Sequence, residues 1–91
     1  AVAANRTTGG YLVVWWDERS PTGDDDTYGR RVAADGTRVG TEFRVSGPSA
    51  GEEQQPVVAW NGTSNQNLVA WMDKRNFPTR GWDIYGRRVA G

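Results

Sequence analysis

One stretch of six residues constrains this chain more than any other, because the chain contains it twice. Tyr-Gly-Arg-Arg-Val-Ala occupies positions 28–33 and returns letter for letter at positions 85–90. Upstream of this block, Leu12 corresponds to Leu68 and Trp15 to Trp71, at an offset of about 56 residues. One extra residue lies between Arg75 and the second block. We therefore interpret the chain as one structural unit, present once in full and once in part.

Each copy carries the pattern of short antiparallel strands. An apolar run, at 1–4 and again at 57–60, is followed by a turn and then by the strand Tyr11–Trp16 or its counterpart Asn67–Met72. These second strands are apolar on both faces, so both faces have to be covered. The repeated block is the third strand. A fourth strand, Glu42–Ser46, alternates polar and apolar residues and occurs only in the first copy.

This order of strands predicts an all-β fold of two four-stranded antiparallel units that are like β-propeller blades, the second incomplete. The first unit and its linker cover 1–55, and the second, which lacks its last strand, covers 56–91. A β-sandwich is the alternative, but it would require neither a self-repeat nor the same rise in polarity from inner to outer strands in both copies. The residues expected between stacked sheets are Leu12, Val14, Trp15, Leu68, Ala70 and Trp71.

Composition narrows the classes of partner. Eleven basic and eleven acidic residues balance, which gives no electrostatic case for binding nucleic acid or an anionic membrane. No apolar run is long enough for a membrane span. Cysteine and histidine are both absent, which removes disulfides, thiolate nucleophiles and zinc-finger sites. Because the chain begins at Ala1 without Met, we expect it to be processed or to be a piece of a longer protein.

The repeated residues resemble a known pattern. Pro-Val-Val-Ala-Trp, Asn-Leu-Val-Ala-Trp-Met-Asp-Lys-Arg, Asp-Ile-Tyr-Gly-Arg-Arg-Val-Ala and Gly-x-x-Phe-x-Val-Ser are similar to the β-propeller-type repeats of large secreted or surface proteins of bacteria and archaea. The resemblance implies a non-enzymatic module, extracellular or on the cell surface, with a structural, adhesive or protein-interaction role. The alternative that it leaves open is a carbohydrate-binding propeller assembled from several copies.

Charged residues follow the apolar strand in both copies, as Asp17 and Arg19 and as Asp73 and Arg75. They could form a ligand-binding rim. Alternatively, they could form ion pairs with the arginines of the repeated block. Their presence in both copies favours this structural role, because an interaction that stabilises the fold should recur in every unit. No carboxylate pair stands out from these repeated positions, which is why we expect no enzymatic activity.

Two loop features are candidates for binding. Trp82 and Phe77 have no counterpart in the first copy, so these aromatic residues are candidates for contact with a ligand such as a glycan. Asp24, Asp25 and Asp26 could hold Ca²⁺, although their consecutive spacing is not that of a calcium loop, and no other cofactor is expected.

Two sequons lie at equivalent positions. Asn5-Arg6-Thr7 and Asn61-Gly62-Thr63 both satisfy the acceptor pattern for N-glycosylation, and we expect both asparagines at exposed hairpin tips. The alternative is ordinary turn chemistry, in which the Asn side chain accepts a hydrogen bond from the backbone.

The missing fourth strand of the second copy predicts a partner. Without that strand, the edge Ile84–Val89 presents unpaired backbone groups, which readily pair with any strand that arrives. We therefore expect other copies of this chain, or further polypeptide of a longer chain, to add a strand at this edge.

Overall fold

The computed structural model describes residues 1–17, 25–46, 53–73 and 81–91. Within these ranges the chain forms only strands and turns, and it contains no helix that could cross a membrane. The strands are β1 (Val2–Ala4), β2 (Tyr11–Asp17), β3 (Asp26–Val32), β4 (Arg38–Arg44), β5 (Glu53–Asn61), β6 (Gln66–Asp73) and β7 (Asp83–Ala90).

The strands form two antiparallel sheets, one for each copy of the repeat. The first sheet has the order β1-β2-β3-β4 and the second has the order β5-β6-β7. Equivalent residues have equivalent neighbours: Leu12 lies opposite Arg31 in the first sheet, and Leu68 lies opposite Arg88 in the second. The prediction of an all-β chain, with four strands in the first copy and three in the second, is confirmed.

Two strand boundaries differ from prediction. The fourth strand was expected at Glu42–Ser46 but runs over Arg38–Arg44, because the tight turn around Gly36 returns the chain directly beside β3. The first strand of the second copy was expected at 57–60 but already begins at Glu53. It passes through an irregularity between Gln54 and Val57, where Gln55 adopts a positive φ of 53°.

The β3–β4 turn is held by the Asp35 side chain. Its Oδ1 accepts hydrogen bonds from the Thr37 hydroxyl at 2.7 Å and from the Thr37 backbone N–H at 3.0 Å. These bonds favour the charged carboxylate and lower the pKa of Asp35, the hydroxyl having the largest effect. Gly36 follows with a φ of +90°, a conformation that glycine adopts without steric cost.

The core lies between the two sheets, and the sheets contribute opposite faces to it. The first sheet provides Leu12 and Val14, with Val45 beyond the end of β4. The second sheet provides Val69, Trp71 and Val89. In the repeat, Val69 and Trp71 correspond to Val13 and Trp15. These two residues lie on the face of β2 that is opposite to Leu12 and Val14 and points away from the core.

The outer faces are therefore open, and each is equivalent to a face that is buried in the other copy. Leu12 is 2% exposed and its counterpart Leu68 is 54% exposed. The predicted burial of Leu12, Val14 and Trp71 is confirmed. The predicted burial of Leu68 is wrong, and Trp15 and Ala70 are half-buried, because all three lie on the outer faces, which neither sheet covers.

The two equivalent leucines give a matched test of this packing. Leu12→Ala should lower the free energy of unfolding by about 2–5 kcal/mol, because it empties a site in the core. Leu68→Ala should change it by less than about 0.5 kcal/mol in the monomer, since that side chain contacts solvent. Urea denaturation of dilute samples measures both values, and equal losses in the two variants would contradict the assignment of the faces.

Candidate functional site

The acidic residues predicted to rim a ligand site lie at one end of the two sheets. The register places Asp17 opposite Asp26 in the first sheet and Asp73 opposite Asp83 in the second. Asp73 is fully buried, and its Oδ2 accepts a hydrogen bond of 3.0 Å from the indole N–H of Trp71. The Asp73 side chain is therefore not exposed to solvent, whereas Asp17 is half-exposed.

The candidates for calcium binding are engaged with protein groups. Asp25 Oδ2 accepts a hydrogen bond of 2.5 Å from the side-chain amide of Gln54. Asp26 is 2% exposed and forms an ion pair of 2.8 Å with Arg44. In the described ranges, no group of three or more acidic side chains could hold a metal ion. Four of the predicted site residues lie outside the described residues: Arg19, Asp24, Arg75 and Phe77.

Three arginines of the repeated block donate hydrogen bonds to backbone carbonyls. Arg30 donates to Gly40 O at 2.6 Å, Arg31 to Ala90 O at 2.7 Å and Arg87 to Val45 O at 2.9 Å. The expectation that Arg30 or Arg31 pairs with Asp17 is wrong, because the antiparallel register places these arginines toward the other end of β2. Two of these bonds join the sheets: Arg31 crosses from the first to the second, and Arg87 crosses back.

The two sequons differ in exposure. Asn5 is 7% exposed; its Oδ1 accepts from the Thr7 and Thr8 backbones at 2.9 and 3.1 Å, and its Nδ2 donates to Asn65 Oδ1 at 3.0 Å. The expectation that Asn5 is exposed is therefore wrong, because the adjoining sheet covers it. Asn61 is exposed as expected, and its Oδ1 accepts a hydrogen bond from the Thr63 backbone N–H at 3.0 Å.

The exposed aromatic and apolar side chains identify the surfaces on which a partner could pack. Trp82, a predicted ligand contact, is 37% exposed just before β7. On the open face of the second sheet, Val57, Leu68 and Ile84 are each more than half exposed, at 62%, 54% and 73%. Val2 and Tyr11 are exposed on the open face of the first sheet. Sequence reasoning assigned Leu68 and Ala70 to the core, and it therefore missed the open face of the second sheet.

The β7 edge of the second sheet is a further open surface. β7 is an outer strand of its sheet, as predicted, and most of its side chains are exposed. A groove of about 330 Å³ runs beside it. One wall is the segment 87–90 of β7, and the other consists of Arg31 and the segment 43–45 of the first sheet. The candidate site therefore combines the two open faces with the β7 edge.

Comparison with known proteins adds no assignment: no family model matches the chain, and neither a curated protein nor a solved structure is significantly similar to it.

The two sequon asparagines can be compared directly by substitution. Asn5→Ala should lower the free energy of unfolding by about 1–2 kcal/mol, because it removes three hydrogen bonds in a largely buried turn. Asn61→Ala should cost less than about 1 kcal/mol, since its turn is solvated. Thermal unfolding measured by circular dichroism compares the variants. A larger loss for Asn61→Ala would contradict the difference in burial.

Proposed function

We propose that the chain is a non-enzymatic repeat module of the β-propeller type, which acts outside the cell or on its surface. Its role is structural, adhesive or protein-binding, and it is exercised by packing against further repeat units through its open faces. In this proposal each sheet is a blade, with four strands in the first and three in the second among the described residues.

The observation that carries the proposal is the exchange of buried faces between equivalent strands. The first sheet buries Leu12 and Val14, whereas the second exposes the equivalent Leu68 and half-exposes Ala70. The two open faces therefore consist of residues equivalent, in the same register, to those of the two faces that already pack together. A third sheet could stack on either side by repeating an interface that the molecule already contains.

A cross-sheet hydrogen bond supports the same stacking. Arg31 reaches from the first sheet to Ala90 O of the second. At a further interface, the equivalent residues would be Arg88 of one unit and the Ala33 carbonyl of the next, and Arg88 is exposed on the open face. The location outside the cell rests on the resemblance of the repeated residues to secreted and surface proteins.

Self-association of the purified chain tests the stacking. The mass measured by light scattering should rise above 10.0 kDa with concentration, since one copy provides each of the two faces that another copy needs. Leu68→Lys on one face, or Val13→Lys on the other, should keep the chain monomeric by burying a charge in the interface. Ser64→Lys, in a turn away from both faces, is the control for added charge.

Mixing the two blocked variants separates this head-to-tail mode from other kinds of association. Each variant retains one intact face, and the intact faces are complementary, so the mixture should contain a pair of about twice 10.0 kDa and nothing larger. A wild-type chain that stays at 10.0 kDa at every concentration would overturn the stacking proposal. So would blocked variants that associate as strongly as the wild type.

A carbohydrate-binding role is the second candidate, because Trp82 and Trp16 expose 37% and 47% of their surfaces. Aromatic rings at a surface are suited to pack against the apolar faces of other molecules. A glycan array probed with the purified chain distinguishes the two roles. For a structural module we expect no glycan to bind, whereas binding that Trp82→Ala abolishes would favour the carbohydrate-binding role.

A further inference from the structure

The first sheet shows how its outermost strand is held on β3. Gly29 lies opposite Phe43 of β4, and a Cβ atom added at Gly29 would lie 3.2 Å from the Phe43 ring. The guanidinium carbon of Arg31 lies over the same ring, 5.4 Å from its centroid. Just beyond β4, the backbone N–H of Val45 donates to Thr27 O at 2.8 Å. Because Gly29 has no side chain, the ring of Phe43 can pack directly on the backbone of β3. We call this place, formed by Gly29 and Arg31, a seat for phenylalanine.

The second sheet repeats this seat on β7. Gly86 is equivalent to Gly29, Arg88 to Arg31 and Ile84 to Thr27. Gly86 and Arg88 are both exposed, and Ile84 is 73% exposed. The glycine, the arginine and the strand edge therefore have the same spacing in both copies, and the first copy shows what they accommodate.

The β7 strand borders a groove on the side of the first sheet. The groove of about 330 Å³ lies between segment 87–90 and the residues Phe43, Arg44 and Val45 of the first sheet. A chain lying there would pair with the open edge of β7 and contact the first sheet with its other side chains. Backbone pairing of this kind provides affinity, and pockets for alternate side chains provide specificity.

We propose that the edge of β7 is a binding site for an extended peptide with a phenylalanine, whose ring lies over Gly86 and beside the Arg88 guanidinium. The partner has the chemistry of the chain's own β4, with phenylalanine followed by arginine and valine as in Phe43-Arg44-Val45. It pairs antiparallel to β7, as β4 pairs with β3. This inference rests on the proposed function, because it names the kind of partner that such a module takes at its open edge.

The phenylalanine of the peptide determines which sequences the site prefers. Main-chain hydrogen bonds are available to any extended peptide, so they do not distinguish one sequence from another. A ring over Gly86 buries apolar area on the sheet and adds a contact with a guanidinium group. Residues with a Cβ at position 86 would occupy the place of the ring, which is why glycine is the residue that the site requires there.

Peptide binding tests the proposal. A fluorescent peptide of residues 38–46 is titrated with the full chain, and fluorescence anisotropy should show saturable binding. The same peptide with Phe43→Ala should bind about tenfold more weakly or worse, because it loses the burial of one large apolar side chain. Phe43→Tyr should restore binding. Equal binding by the Phe43→Ala peptide, or no binding by the parent peptide, would overturn the proposal.

Substitutions in the protein locate the site. Gly86→Val should weaken binding of the parent peptide at least tenfold, and Arg88→Ala should weaken it less. An added Cβ at position 86 would lie 3.2 Å from Val69 O, so the folding of Gly86→Val is checked by circular dichroism. As a measurement that needs no substitution, amide NMR of the labelled wild-type chain should show peptide-induced shifts in β7. Shifts confined to β1 or β4 would refute the site.

The failure of this inference is distinguishable from the failure of the proposed function. The titration is repeated with the Val13→Lys chain, which blocks stacking but leaves β7 unchanged. If the wild-type chain binds the peptide but does not self-associate, the proposed stacking of copies is refuted and the proposed strand site is supported. If the chain self-associates but does not bind the peptide, only the proposed strand site is refuted.

Discussion

The packing of opposite faces of two equivalent sheets is the interaction on which the rest of the structure depends. Leu12 and Val14 of the first sheet share one core with Val69, Trp71 and Val89 of the second. Each sheet has apolar side chains on both faces, so neither can satisfy its burial requirement alone. Stacking two of them covers one face of each and leaves the other two open. The exposed residues Val2, Val57 and Ile84 follow from this constraint.

The acidic residues at the strand ends depend on the same core for their burial. Trp71 is buried between the sheets, and its indole N–H has to find an acceptor there, which Asp73 supplies at 3.0 Å. Asp26 is equally buried, and its charge is balanced by Arg44 at 2.8 Å. The neighbouring Asp25 connects the sheets, because its backbone carbonyl accepts the N–H of Glu53. The carboxylates of Asp26 and Asp73 are therefore bonded to protein groups at the strand ends.

The sequence predicted the number, order and pairing of the strands, because the repeat assigns each residue of one copy a counterpart in the other. It could not predict which faces are buried, since Leu12 and Leu68 occupy equivalent positions of the repeat, yet only Leu12 is covered by the other sheet. It also could not predict that Asn5 is buried, which depends on the contact with Asn65 of the other sheet. The candidate strand site is readable from sequence only after the register pairs Gly29 with Phe43.

The symmetry of the open faces restricts how copies could assemble. A twofold dimer would place each face against an identical face, so that Leu68 would meet Leu68. The interface inside the chain instead joins two different faces, which is a head-to-tail contact. Contacts of this kind continue until a rotation closes them into a ring, or they extend without limit if it does not. Sheet twist rotates each sheet relative to the one below it, so the angle at the Leu12–Trp71 interface, repeated at Leu68, is the quantity that decides between ring and filament.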